Sequence, residues 1–75
     1  MRGIILSDIN VGSIWKHQNN GYHYTVTSIS SFKLGGTWLD ESLVTYKSEA
    51  DDFYSRFESD FKASFTLIDG GYNYK

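Results

Sequence analysis

The residue types that this sequence lacks exclude several kinds of protein. Among its 75 residues there is no cysteine, and only His17 and His23 are histidines. Disulfide bonds and thiolate metal sites are therefore excluded, and two histidines alone do not predict a structural zinc site. A chain of this length is expected to form one small domain, residues 1–75, whose single core is marginal without such supports.

Long apolar runs and a strong net charge are also missing. The longest apolar run covers residues 4–6, far short of the roughly 20 residues that a membrane span requires. The N-terminus has one arginine and three apolar residues, which is not the pattern of a signal peptide. The formal net charge of -2 offers no broad basic surface to a phosphate backbone. We therefore expect a cytoplasmic protein without membrane contact, and nucleic acid is the least expected of its partners.

Sequence patterns of enzymes and cofactor sites are absent as well. There is no nucleophile elbow and no Cys/His catalytic set, and Gly35-Gly36 is too sparse for a phosphate-binding loop. The acids Glu49, Asp51 and Asp52 lack the spacing of a calcium loop, so a solvated turn is expected there. The sequence predicts a protein with no catalytic activity, metal or cofactor.

The residues that are present favour a β-rich fold. Aromatic residues make up 17% of the chain, which also has seven glycines and no proline. Aromatic and β-branched residues suit strands, and several short strands with tight turns suggest a barrel. We predict a small, strongly bent, SH3-like antiparallel barrel of about five strands with one short helical turn. Its core would span about residues 11–68, and residues 69–75 would form a flexible tail.

The clearest local signal is a β-hairpin around Asn20-Gly21, the preferred pair for a type I′ turn. A two-residue loop there pairs His17 with Tyr24, and a four-residue loop over residues 18–21 gives the same division of faces. Both loops place five residues on one face: Trp15, His17, Tyr22, Tyr24 and Val26. A slip of one residue would exchange the faces, so burial of the aromatic side selects these even-length loops. Trp15, Tyr24 and Val26 are predicted to lie in the core.

The rest of the chain predicts further strands and one helical turn. The expected strands cover about residues 13–18, 22–30, 43–47, 53–56 and 65–68. Residues 30–36 are predicted to form a loop, and this loop is a candidate for a mobile arm. Phe57, Phe61 and Phe65 are four apart, which stacks them on one helical face, with Ser55 or Ser59 as the cap. Val44 and Tyr46 would point to one side and, with Phe61 and Phe65, complete the core. Ile4 and Ile9 would cover an open end of it.

The order of several motifs resembles a family of small, uncharacterised bacterial and phage domains. The matching pieces are Gly12-x-x-Trp15-Lys16-His17, Gly21-x-x-Tyr24-x-Val26, Val44-x-Tyr46-Lys47 and Phe53-x-x-Arg56-x-x-x-x-Phe61, followed by Phe65. The resemblance covers about residues 11–67 and implies an SH3-like barrel. It transfers no activity, although phage-encoded members would be candidates for host-takeover or anti-defence proteins. This chain departs from the pattern at Phe57, where the family usually has proline, and in the extra loop around Gly35-Gly36.

Four residues form a candidate ligand site: Trp15, His17, Tyr46 and Arg56. His17 could bind a polar group or change its charge near neutral pH, but a strand-end histidine bonded to backbone is the simpler interpretation and the preferred one. Arg56 could present its guanidinium to a carboxylate or phosphate, or form an ion pair with a nearby acid. A nucleotide-like metabolite is the ligand class that such a set would suit.

Four more residues form a candidate partner site: Phe32, Leu34, Trp38 and Tyr54. The chain has more aromatic residues than so small a core can enclose, and exposed Trp and Tyr are typical interface anchors. Tyr72 and Tyr74 belong to the same surplus. The leading hypothesis is a non-enzymatic module that binds a protein partner or another copy of itself. Small-ligand binding is the alternative, and nucleic-acid binding comes third.

Overall fold

A computed structural model describes residues 9–70 as five β-strands and one α-helix. The elements are β1 (Ile14–His17), β2 (His23–Leu34), β3 (Thr37–Ser48), β4 (Phe53–Phe57), α1 (Glu58–Ser64) and β5 (Phe65–Asp69). All five strands are antiparallel in one sheet of order β4-β3-β2-β1-β5. The predicted mainly-β fold with five strands and one short helical segment is confirmed. Ile4, Tyr72, Tyr74 and most of the predicted tail lie outside the described residues.

The sheet does not close into the predicted barrel. Within residues 9–70, β4 pairs only with β3 and β5 pairs only with β1, so both are edge strands. The pairing of β2 with β3 shifts register between Val26 and Ser28 and again between Ser31 and Lys33. Such irregularities increase the local twist of a sheet. Helix α1 connects the two edge strands and contacts β3, β4 and β5. No helix in this part of the chain is long and apolar enough to cross a membrane.

The first hairpin has the predicted faces but not the predicted turn. Trp15 pairs with Tyr24, and the backbone of His17 bonds Tyr22, which is the register of the four-residue loop. Gly21 has a φ of 74°, whereas Asn20 does not have positive φ, so the turn is not type I′. The pairing of His17 with Tyr24 is therefore wrong. The division of faces is confirmed, because both even-length loops place the same residues on each face, although Tyr22 at the turn is 67% exposed.

The predicted loop over residues 30–36 is instead the continuation of a long hairpin. Strand β2 extends to Leu34, β3 begins at Thr37, and only Gly35 and Gly36 connect them. Their φ angles are 60° and 84°, as a two-residue hairpin turn of type I′ requires. The glycine pair thus makes the tight turn that the sequence suggested for Asn20-Gly21.

The core lies between the inner face of the sheet and α1. The buried apolar residues of the described chain are Ile9, Trp15, Val26, Val44, Tyr46, Phe61 and Phe65, and half-buried Tyr24 and Ile29 pack against them. Burial of Val44 and Tyr46 on one side is confirmed, as is that of Trp15 and Val26. The ring of Phe61 stacks on Phe65 with centroids 4.3 Å apart. Six of the seven were predicted core residues, and Ile9 was predicted to cover its end.

Helix α1 is shorter than the aromatic spacing predicted, and its cap is not local. Phe57 and Phe65 flank the helix with extended backbones, so they do not share a helical face with Phe61. No side chain of the N-cap residue bonds the first turn, which corrects the prediction of Ser55 or Ser59 as the cap. Instead, the backbone N–H of Ser59 donates to Oε1 of Glu41 in β3 at 2.9 Å.

Candidate functional site

His17 lies at the end of β1, where its ring meets two other rings edge-on. The centroid distances are 4.8 Å to Phe65 and 6.4 Å to Tyr24. Its Nδ1 accepts a 3.1 Å hydrogen bond from the backbone N–H of Asn19 in the adjoining turn. The side chain thus stabilises the turn while its ring remains half-buried beside other aromatic residues.

Arg56 reaches inward from β4 and is held by three side chains. Its Nε donates to the hydroxyl of Tyr46 at 2.9 Å, and its Nη1 donates to Ser64 at 2.9 Å and to Asp60 at 3.3 Å. The guanidinium carbon lies 5.4 Å from the centroid of Phe65. These partners occupy Nε and Nη1 of the guanidinium. Arg56 therefore connects β4 to β3 and α1, and an anion would have to share the guanidinium with these internal partners.

The Tyr46–Arg56 contact couples the core to this charged group. The ring of Tyr46 is buried, and desolvation raises the pKa of its hydroxyl above 10.0 although the bond from Arg56 opposes that shift. The same bond to Tyr46 raises the pKa of the Arg56 guanidinium above its ordinary value. Tyr46 therefore stays neutral and Arg56 stays charged throughout the physiological pH range.

Three of the four predicted ligand residues line one opening, here called the cleft. The cleft has a volume of about 210 Å³ and is lined by His17, Asn20, Tyr24, Tyr46, Tyr54, Arg56 and Phe65. Trp15 is not among them: it is 4% exposed, its indole N–H donates to Ser13 at 2.8 Å, and its ring packs edge-on against Phe61. Trp15 is therefore a core residue without access to a ligand.

A second opening adjoins the cleft at the turn end of the sheet. It has a volume of about 380 Å³ and shares Asn20, Tyr24 and Tyr54 with the cleft. Its remaining lining residues are Tyr22, His23, Ser48, Glu49, Ala50 and Asp52. Sequence reasoning missed Asn20, Tyr24 and Phe65 as lining residues and assigned Tyr54 to the partner site. The turn and the strand pairing bring these four residues to the cleft.

The predicted partner residues fall at two different places. Leu34 and Trp38 are 64% and 61% exposed at the tip of the β2–β3 hairpin, where the Lys33 ammonium lies 5.1 Å from the Trp38 ring centroid. Phe32 is half-buried and meets Phe57 edge-on, with centroids 5.5 Å apart. Tyr54 pairs with Tyr46 in the sheet and lines the cleft, so it lies apart from the tip.

The tip belongs to a two-stranded projection, here called the arm, that comprises residues 30–42. Strand β1 pairs with β2 only over His23–Thr25, and β4 pairs with β3 only over Leu43–Lys47. Apart from Ser30, which pairs with Leu43 at the base, the arm residues therefore pair only with each other in the described sheet. Two contacts anchor the base of the arm, namely the Phe32–Phe57 ring pair and the bond from Ser59 to Glu41.

Searches for similar proteins leave the resemblance to the phage and bacterial domains as a prediction. No family model matches the sequence, and no curated protein or solved structure matches it either. Within residues 9–70 no group of three or more acidic, histidine or cysteine side chains is placed to hold a metal ion. Among residues 9–70, the arm and the cleft with its adjoining opening are the candidate sites.

Proposed function

We propose that this protein is a non-enzymatic interaction module that binds a protein partner through the arm. The observation that carries the proposal is the exposure of Leu34 and Trp38 at the tip of a hairpin that extends beyond the rest of the sheet. An isolated two-stranded hairpin is marginally stable in water. An exposed tryptophan on such a projection lowers solubility and adds nothing to the core. Its presence there therefore favours a role in binding another molecule.

The shape and chemistry of the arm suit a concave apolar site on the partner. The tip offers a large aromatic side chain and an aliphatic one around a two-glycine turn, with Lys33 beside the Trp38 ring. Tryptophan is enriched among residues that dominate binding energy when it fills a desolvated pocket. The anchored base would hold the hairpin in place and so reduce the ordering cost of binding.

The experiment compares wild-type protein with a variant carrying Leu34→Ser and Trp38→Ser in quantitative pull-downs from host lysate. Both residues are exposed, so the variant should keep its stability, whereas Phe32→Ser would disturb the Phe32–Phe57 contact. Tyr22→Ser is the matched control, because Tyr22 is 67% exposed and lies just before β2, far along the sequence from the tip. We expect a specific partner to be lost from the arm variant alone. Equal recovery with the arm variant would contradict the proposal.

The resemblance to phage-encoded domains extends this proposal to a host protein as partner and to action in the cytoplasm. That extension depends on the resemblance, whereas the role of the arm depends on its exposure. The two can fail separately, since a partner from any source would still bind through Trp38.

Binding of a small ligand in the cleft is the second candidate, and the convergence of His17, Tyr46 and Arg56 favours it. It ranks below the arm for two reasons. The cleft is smaller than the roughly 300–1,000 Å³ of ordinary ligand pockets. Arg56 is also already bonded to Asp60, which offsets its charge.

A thermal-shift screen against nucleotides tests the cleft. A ligand at a hundred times its Kd should add about 2.7 kcal/mol to the free energy of unfolding. The shift should shrink in Tyr54→Ala, because Tyr54 is 46% exposed and lines the cleft. The absence of a shift with every nucleotide would remove this candidate.

A further inference from the structure

Strand β4 is an edge strand that carries no lysine, proline or bulge. Edge strands commonly carry a lysine, a proline or a bulge that blocks association with another chain. The sequence of β4 is Phe-Tyr-Ser-Arg-Phe, and it pairs with β3 in continuous register. Its one charged residue, Arg56, is turned to the inner face; an inward charge can also discourage pairing, but this one is already bonded within the domain to Tyr46 and Asp60. Within residues 9–70, the outer edge of β4 is therefore open to another strand.

The hydrogen bonds of the neighbouring turn show which backbone groups of β4 point away from β3. The N–H of Ser48 donates to the carbonyl of Asp52 at 2.9 Å, so that pair is hydrogen-bonded. Hydrogen-bonded and non-hydrogen-bonded pairs alternate along an antiparallel ladder. Tyr54 and Arg56 thus bond β3, whereas Phe53 and Ser55 direct both backbone groups away from it. Phe57 is in the same alternate position, so its N–H also points to the free edge. Its carbonyl is not counted, because Phe57 is the N-cap residue of α1 and this carbonyl accepts a helix hydrogen bond.

We propose that β4 pairs edge to edge with β4 of a second copy of this chain, antiparallel and centred on Ser55. In this register Ser55 meets its own counterpart as a hydrogen-bonded pair, so each residue supplies one donor and one acceptor. Phe53 then faces Phe57 of the second copy, and Tyr54 faces Arg56. The five-residue strand is self-complementary in this arrangement, and it joins the two sheets into one of ten strands.

The side chains support the same register on both faces. On the outer face, Phe53 is 61% exposed, and pairing places it beside Phe57 of the second copy, which already contacts Phe32. Aromatic pairs across neighbouring strands add to the stability of a sheet. On the inner face, Tyr54 meets Arg56, and a guanidinium binds favourably to an aromatic ring. No like charges face each other within the strand.

Charge limits the pairing to these five residues. One position beyond each end, Asp52 would face Glu58 of the second copy, and like charges opposite each other are destabilising. Glu58 is partly compensated by Lys62, whose ammonium lies 3.7 Å from it. An interface of one short strand pair buries less than about 1,200 Å², the range of weak transient complexes. The dimer should therefore form at high protein concentration and dissociate on dilution.

Sedimentation velocity with three proteins tests the pairing. Wild type should shift from monomer to dimer as concentration rises to about 1 mM, a range suited to weak complexes. Ser55→Pro removes the N–H at the free edge, where proline is tolerated because β3 does not use that group. It should stay monomeric. Ser55→Ala is the matched control, since it keeps the N–H and loses only the 3.0 Å contact with the Thr45 hydroxyl. It should dimerise like wild type.

A cysteine cross-link gives a second, independent readout that does not depend on the proline variant folding. The chain has no cysteine, so Ser55→Cys introduces a single thiol. Hydrogen-bonded antiparallel partners have Cα atoms about 5.5 Å apart, within the range of a disulfide. Ser55→Cys should therefore oxidise to a disulfide dimer much faster than Ser28→Cys, which places the thiol at an exposed position of β2.

The proposal is overturned if wild type stays monomeric at about 1 mM. It is also overturned if folded Ser55→Pro dimerises like wild type, or if the two cysteine variants cross-link equally fast. The arm variant with Leu34→Ser and Trp38→Ser should still dimerise, because its changes lie outside β4. Loss of support for partner binding through the arm would thus leave dimerisation through β4 unaffected, and a monomeric wild type would leave partner binding unaffected.

Discussion

The carboxylate of Glu41, in β3, accepts the backbone N–H of Ser59 in α1 at 2.9 Å, and so caps a helix that begins 17 positions further along the chain. The helix has no side-chain cap of its own. Acceptors and negative charge at this end satisfy free N–H groups and interact favourably with the helix dipole. The contact also fixes the base of the arm to the rest of the domain, so one residue links the candidate partner site to the fold.

Replacement of Glu41 should reduce the amount of stability that the domain loses as the pH falls into the acid range. The bond from Ser59 lowers the pKa of Glu41 below 4.5, so the folded chain binds this proton more weakly than the unfolded chain does. The stabilisation is therefore complete above pH 4.5 and is lost as pH falls through the lower folded pKa. Glu41→Ala should have a lower melting temperature than wild type at pH 7, and the difference between the two melting temperatures should shrink toward pH 3. Thermal unfolding followed by circular dichroism measures both temperatures.

Glu49→Ala is the control for that experiment, because Glu49 is exposed in the turn after β3. It should leave the melting temperature close to that of wild type at both pH values. A constant difference between Glu41→Ala and wild type from pH 7 to pH 3 would show that ionisation of Glu41 has no part in the cap.

Ser13→Ala should be unusually destabilising for the loss of one hydroxyl. Ser13 is fully buried, its Oγ accepts the indole N–H of Trp15 at 2.8 Å, and its hydroxyl donates to the carbonyl of Asn10. Alanine leaves the buried indole N–H without an acceptor, which costs about 1–3 kcal/mol. Urea denaturation should give this loss, whereas Ser28→Ala, at an exposed position, should stay within about 0.5 kcal/mol of wild type. Equal stabilities would mean that water replaces Ser13.

Tyr46→Phe isolates the contribution of the contact between Tyr46 and Arg56. The variant keeps the buried ring and removes only the acceptor of Nε, while Nη1 retains Asp60 and Ser64. We expect a loss of about 0.5–1.5 kcal/mol in the free energy of unfolding, as for one hydrogen bond. Tyr22→Phe, at an exposed position, should have no measurable effect on the same urea titration. A Tyr46→Phe variant as stable as wild type would show that Arg56 finds an equivalent partner.

Asp51→Gly should stabilise the domain. Asp51 has a φ of 68° and, among the described residues, is the only one other than glycine with positive φ. The N–H of Asp51 donates to Ser48 in the turn between β3 and β4. Glycine removes the strain of a left-handed side chain, and the lost 3.5 Å ion pair with Lys47 is exposed. We expect a gain of about 0.5 kcal/mol in thermal unfolding.

Asp52→Gly is the matched control for Asp51→Gly, because Asp52 does not have positive φ. Glycine there only increases the freedom of the unfolded chain and should reduce stability. If both variants lose stability equally, the conformation of Asp51 is not strained.

Residue pattern alone was sufficient for the fold class and most of the core. Alternation in β1 and β2 predicted which faces of the first hairpin are buried, and Val44 and Tyr46 were predicted correctly for the same reason. The turn was predicted less well, because Asn-Gly pairs fit several loop lengths and the face division is common to two of them. The glycine pair at 35–36 was interpreted as a loop break, although its positive φ angles make the two-residue turn between β2 and β3.

The candidate sites were only partly predictable. His17, Tyr46 and Arg56 were expected to belong to one site, and they do line one cleft. Trp15 was assigned to that site and lies in the core instead, because its indole finds an internal acceptor in Ser13. Tyr54 was grouped with the arm, but the pairing of β4 with β3 places it beside Tyr46. Strand pairing determines which residues of different strands become neighbours, and the spacing of residues in the sequence does not reveal that pairing.

The sequence by itself determined that this is a strand-rich domain with an aromatic core, because the alternation of apolar residues and the position of glycines act over a few residues. Tertiary structure decided which distant polar groups meet. Glu41 caps α1, Ser64 and Tyr46 hold Arg56, and β4 is left with an open edge. These contacts join residues that lie far apart in the sequence or on different elements, so they arise only when the sheet fixes its strand order and register.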